Sequence, residues 1–160
     1  MTDTRSDRGR RAALVAVLLL VSAVAAVALR PSGAAAGGGS LRTTLAAWSK
    51  QAGTDARAVA LNARQRHPVR MTHSAARFRT DALHAQVAIA ALRPATARER
   101  KAQRLAVSAF ADYASAGAQW AASGRARSHG LKLAAVAHSH TAATAARAGD
   151  RLLIAAGRLL

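Results

Sequence analysis

The chain has 160 residues, no cysteine, and 24 Lys and Arg against seven Asp and Glu, a formal net charge of +17. Without cysteine there is no disulfide framework, thiolate metal site, cysteine nucleophile or covalent c-type haem attachment. The positive excess favours partners carrying phosphate or carboxylate, but 21 Arg to three Lys amid abundant Ala is also what GC-rich coding produces, so charge alone assigns no ligand.

The first element in chain order is an address. Residues 1–11 form a basic segment holding Arg5, Arg8, Arg10 and Arg11, and residues 12–29, Ala12 to Leu29, carry no charge. Eighteen residues of helix cover about 27 Å, close to a hydrocarbon core of about 30 Å. The positive-inside rule then places the N-terminus in the cytoplasm and everything after Leu29 outside it. The expectation is a membrane-spanning helix retained as a single-pass anchor. The alternative is a signal segment cut at Ala26-Val27-Ala28 or Ala34-Ala35-Ala36, which would release a secreted domain. Residues 30–40 include the run PSGAAAGGGS, a linker with a span of roughly 17 Å.

Residues 41–160 read as an Ala/Arg-rich, all-α domain. Behind Ser40 as N-cap, Leu41, Leu45, Trp48, Ala52, Ala56, Val59 and Ala63 recur at spacings of three and four, which predicts a first helix ending before Pro68. Met71, Ala75, Phe78, Ala82, Ala85, Ile89 and Leu92 predict a second, stopped by Arg93-Pro94. Thr96 with Glu99 is a capping-box pattern opening a third helix with Ala102, Ala106, Ala109, Tyr113, Gly117 and Trp120 inside. Ser123-Gly124 through Gly130 reads as a break. A fourth helix runs from Leu131 through Ala135, His138, Ala142, Ala145, Gly149, Leu152 and Ala156 to Leu159. Short connections predict an antiparallel up-down four-helix bundle.

No catalytic pattern is present. The acids Asp55, Asp81, Glu99, Asp112 and Asp150 have no paired spacing for general acid–base work and read as surface ion pairs, Asp150 with Arg147 for example. No nucleophile elbow, phosphate-binding loop or dinucleotide fingerprint occurs, so an enzyme is not expected. Two of the six histidines, His138 and His140, point to different helix faces, whereas a zinc pair needs spacing three or four; no metal and no cofactor is expected. The five aromatics, at helical spacing, read as core, and no nucleic-acid-binding module is recognisable.

The basic residues carry the functional expectation. In an antiparallel bundle, Arg64, Arg66 and Arg70 of the first turn share one end with Arg125, Arg127 and Lys132 of the third. That end also gathers His67, His73 and His129, and no acid occurs from Asn62 to Thr80 or from Gln119 to Gly149. A second cluster, Arg98, Arg100, Lys101 and Arg104, sits at the start of the third helix, where free backbone N–H groups can bind an anion. The expected role is a non-enzymatic, envelope-facing protein. It would bind a membrane through anionic lipid, an envelope polyanion, or a protein partner such as a second copy of itself. A small extracytoplasmic sensor or cofactor-binding bundle using the histidines is the alternative.

Overall fold

The structure, a computed structural model, describes residues 38–160, with side-chain burial from Leu41 onward. The basic segment 1–11, the apolar segment 12–29 and the linker as far as residue 37 lie outside the described residues. Among the described residues no helix is long and apolar enough to cross a membrane. Four helices make up the domain: α1 (Gly38–Arg64), α2 (Pro68–Ala90), α3 (Ala97–Ser128) and α4 (Lys132–Gly157), and no strand occurs among the described residues. The described residues form an all-α helical bundle.

Local chemistry accounts for most helix ends. Pro68 sits in the first turn of α2, where its missing N–H would be unpaired anyway. At α3 the capping box forms as the spacing predicts: Thr96 Oγ1 accepts from the Glu99 N–H at 3.0 Å, and the Glu99 carboxylate accepts from the Thr96 N–H at 3.1 Å. The other end of α3 closes in a Schellman arrangement: the Gly130 N–H reaches Arg127 O at 3.1 Å and the Leu131 N–H reaches Ala126 O at 2.8 Å. Gly130 supplies the required positive φ of 72°. α1 closes the same way, through Arg66 N–H to Ala63 O and His67 N–H to Asn62 O, but there the positive φ of 57° falls on Arg66.

Five boundaries differ from expectation, two of them slightly: α2 ends at Ala90, short of Leu92, and Leu131 is the N-cap of α4 rather than its first residue. Ser40 lies inside α1, which starts at Gly38, so it is not the N-cap. α4 ends at Gly157 and is capped by Arg158 rather than running to Leu159. The expected break at Ser123-Gly124 does not exist, since α3 continues to Ser128. A helical glycine costs about 1 kcal/mol against alanine, and here that cost is offset by close approach. A Cβ at Gly124 would collide with the Thr72 side chain and stand 2.9 Å from Pro68 O. Ser123, fully buried, donates to Ala135 O at 2.8 Å. Both residues are contact points with neighbouring helices.

Cross-helix contacts fix how the elements lie. Asn62 donates to Ser74 at 2.8 Å while Gln51, eleven residues earlier on α1, reaches Asp81 at 3.3 Å on α2. Gln103 near the start of α3 donates to Ile89 O and Leu92 O, both at 2.8 Å, and Gly124 near its end meets Pro68. Arg98 of α3 reaches Arg158 O at 3.1 Å, whereas Ser123 meets Ala135. In each pair, residues late in one helix meet residues early in the next. α1 touches α3 at few places and barely meets α4, leaving α2 and α3 as the middle of the molecule and α1 and α4 as its flanks.

The expected inner faces of the first three helices are on the inside, with Trp48, Ala63 and Leu92 half-buried at their margins. Phe78 forms the hub of the aromatic core, with ring centroids 5.8 Å from Tyr113 and 5.5 Å from Trp120. Around it the seams are largely Ala and Gly, which lets the backbones approach. A Cβ at Gly117 would stand 2.8 Å from the Arg79 backbone nitrogen. Little apolar surface is buried per residue, since an Ala methyl yields far less than the roughly 1.5–3 kcal/mol of a large apolar side chain.

Candidate functional site

The contact of Gly124, near the end of α3, with Pro68 and Thr72 at the start of α2 brings the α1–α2 and α3–α4 junctions together. Arg64 closes the last turn of α1, Arg66 follows it, Arg70 lies in the first turn of α2, and Lys132 begins α4. Arg125 and Arg127 belong to the last turn of α3 rather than to a loop. Arg64, Arg66, Arg70, Arg125 and Lys132 are exposed, as are His67, His73 and His129. Arg127 is half-buried, and its Nε is buried without a hydrogen-bond partner. The runs 62–80 and 119–149 carry no carboxylate to offset this charge, and the negative ends of the helix dipoles stabilise Arg64, Arg125 and Arg127 where they stand.

Arg66 stands out within this set. A left-handed conformation costs an ordinary residue roughly 1–2 kcal/mol, and the equivalent position after α3 holds glycine. The chain therefore keeps a cation where the backbone favours Gly.

The second cluster lies at the opposite end and is differently occupied. Glu99 fills the N-terminal site of α3 with its own carboxylate, accepting from the Ala95 N–H at 2.8 Å as well as from Thr96. Arg98 turns away to the carbonyl of Arg158 beyond α4. Arg100, Lys101 and Arg104 remain exposed along the first turns of α3. The expected anion cradle is thus partly closed by the chain's own capping box.

Two buried polar groupings were not anticipated, and both correct the reading of every acid as a surface ion pair. Asp55 is 4% exposed. Gln51 Nε2 donates to its two carboxylate oxygens at 3.2 and 3.1 Å, and the largely exposed Arg77 lies 3.5 Å from Asp55 and 3.6 Å from Asp81. Burial raises the Asp55 pKa above the ordinary 3.8, and the neighbouring Asp81 adds to the shift. Gln51 and Arg77 oppose it. The signal was in the sequence: Asp55 stands three residues after Ala52 and four before Val59, on the apolar face. In the second grouping, Tyr113 donates to Asp150 at 2.6 Å, which replaces the expected pair with Arg147. Burial, then the Asp150 charge, pushes the Tyr113 phenol far above its ordinary range, in keeping with its donating to Asp150. Burial raises Asp150 as well, against the Tyr113 hydrogen bond and the Arg151 charge.

These groupings hold helices together and predict a pH signature. A carboxyl whose folded-state pKa is raised contributes stability that is full below 3.8 and is lost as pH rises through the folded-state value. Asp55→Asn removes that loss, so the variant is expected to gain on the wild type as pH rises from below 3.8 toward neutrality. Urea unfolding of both proteins across that range checks it; a variant that instead falls behind as pH rises would show that the Arg77 bond outweighs burial.

His138 Nδ1 lies 2.8 Å from Gln119 Oε1. Among the described residues no group of three His, Cys, Asp or Glu is placed to hold a metal ion. The arrangement with the clearest chemical capacity is the cationic end. No family model, curated protein or solved structure matches this chain.

Proposed function

We propose that the domain is a non-enzymatic, envelope-facing adaptor whose cationic end binds anionic surfaces. In this reading the apolar segment 12–29 acts as a membrane anchor or export signal, and the up-down order of the four helices presents the binding end away from it. The observation that carries the reading is that two helix junctions, free of carboxylates and with basic residues in their flanking turns, lie in contact through Gly124, Pro68 and Thr72. The strained Arg66 adds support, since backbone conformations that cost stability cluster where function needs a side chain.

The full chain is expected to bind inorganic polyphosphate and phosphatidylglycerol vesicles at low salt, with affinity dropping steeply as ionic strength rises and screening shortens to about 8 Å. Absence of salt-sensitive binding to either would remove the proposal. Arg66→Gly gives a sharper mark: stability should rise by about 1 kcal/mol from relief of the left-handed arginine, while anion binding weakens. A variant that is stabilised but binds as tightly as before would show Arg66 to be incidental.

A further inference from the structure

The same end collects exposed apolar side chains. Five of the seven large apolar residues exposed among the described residues lie there: Leu133 at 89%, Val69 at 59%, Leu131 at 57%, Leu61 at 54% and Val136 at 53%. They come from three helix ends and are interleaved with Arg64, Arg66, Arg70 and Lys132. On α4 the apolar exposure is confined to the tip. Leu133, Val136 and Ala137 face solvent in its first turns, and the outward residues that follow are His140, Thr141, Thr144, Arg147 and Arg151. α1 shows the same change at its end, where Leu61 follows the exposed Thr54 and Arg57. An apolar stripe along a helix would suit another helix; apolar tips ringed by cations suit a plane.

We infer that this end docks on an anionic lipid bilayer, with Leu131, Leu133, Val136 and Val69 entering the boundary between headgroups and acyl chains while the surrounding arginines and Lys132 engage the headgroups. The inference rests on the anionic-surface reading above and names the surface. Combined apolar insertion and basic attraction is the physical basis of interfacial membrane binding. A soluble polyanion offers nothing to Leu133, which is almost fully exposed. A second copy of the same end would bring like charges together, and no carboxylate is at hand to neutralise them. The docking end lies about 40 Å, the length of the 27-residue α1, from the start of that helix.

The lack of cysteine allows a site-specific test on the full chain. Single variants Leu133→Cys and Thr144→Cys, each carrying an environment-sensitive fluorophore, are mixed with vesicles of equal parts phosphatidylglycerol and phosphatidylcholine, with pure phosphatidylcholine vesicles, or with inorganic polyphosphate. The label at position 133 is expected to shift to the blue and to be quenched by brominated lipid only with the anionic vesicles, and the label at 144 in none of the three. The triple variant Leu131→Ser/Leu133→Ser/Val136→Ser should abolish quenching of a label placed at position 69 in the Val69→Cys background. It should also lower partitioning into anionic vesicles by roughly tenfold or more, with polyphosphate binding unchanged. A position-133 label that stays aqueous while this end still binds polyphosphate overturns the lipid inference and leaves the anionic reading standing. Loss of salt-sensitive binding to vesicles and polyphosphate alike overturns both. Insertion at 133 into pure phosphatidylcholine to the same extent also overturns the inference, because the cations would then play no part.

Discussion

Replacing Trp120 by alanine is expected to destabilise the domain by about 3–5 kcal/mol, a large share of a small domain's stability of roughly 5–15 kcal/mol. Trp120 is 7% exposed and stacks at a tilt on Phe78, 5.5 Å away across the α2–α3 seam. Its buried neighbours along α3, Ala116 and Ala121, are too short to move into the space it leaves. The α2 backbone cannot follow, being held against α3 at Gly117 and Gly124. A cavity that cannot collapse costs the most. Urea unfolding should show a lower midpoint with an unchanged slope, and the half-buried Trp48 should give a smaller loss on the same change. A midpoint that does not move in Trp120→Ala would mean that the aromatic cluster carries no stability.

How much of this could be read from the residues depends on what each signal measures. The 4-3 spacing of Met71, Ala75, Phe78, Ala82, Ala85 and Ile89 marks the buried face of α2 and overshoots only at Leu92, past the helix end, because periodicity reports which side faces the core and nothing else in α2 competes with it. The capping box at Thr96 and Glu99 is equally direct, as both partners lie within one turn. The failures involve partners far away in sequence. Ser123-Gly124 looks like a break because Ser and Gly are weak helix formers, and only the approach of Thr72 and Pro68 explains why the helix continues through them. The spacing puts Asp55 on the apolar face, but what meets it there, Arg77 and Asp81 of α2, comes from far along the chain.

The candidate end divides along the same line. Its charge was visible as two carboxylate-free, arginine-containing stretches, and the helix order brings them together. Its apolar component was not visible, since Leu131 and Leu133 flank the start of a helix whose seam is also apolar, and a sequence does not say which leucines the fold leaves outside. Exposure decided it: Leu133 is 89% exposed, whereas Leu153 on the same helix is 7% exposed. The strain at Arg66 was likewise hidden, because nothing in the string RQRHP announces that the helix closes through an arginine in the left-handed region.

Replacing Arg64, Arg66, Arg70 and Arg125 together by glutamine is expected to remove most binding to anionic vesicles and to polyphosphate. A cation near an anionic leaflet contributes about 1 kcal/mol, so four together correspond to a loss on the order of a hundredfold or more at low salt. All four are exposed, and the half-buried Arg127 is left in place so that packing is undisturbed. The matched control replaces Arg57, Arg79, Arg93 and Arg147, also exposed, and changes the net charge by the same four units. Arg77 is kept out of that control because it bridges Asp55 and Asp81. Long-range attraction depends on net charge and would fall equally in both variants, whereas contact with an anion falls off within a screening length of about 8 Å at physiological salt. The separation between the two variants should therefore persist as salt rises. Equal losses at every ionic strength would mean that the arginines act only as a diffuse charge, and the built end proposed for this domain would have no basis.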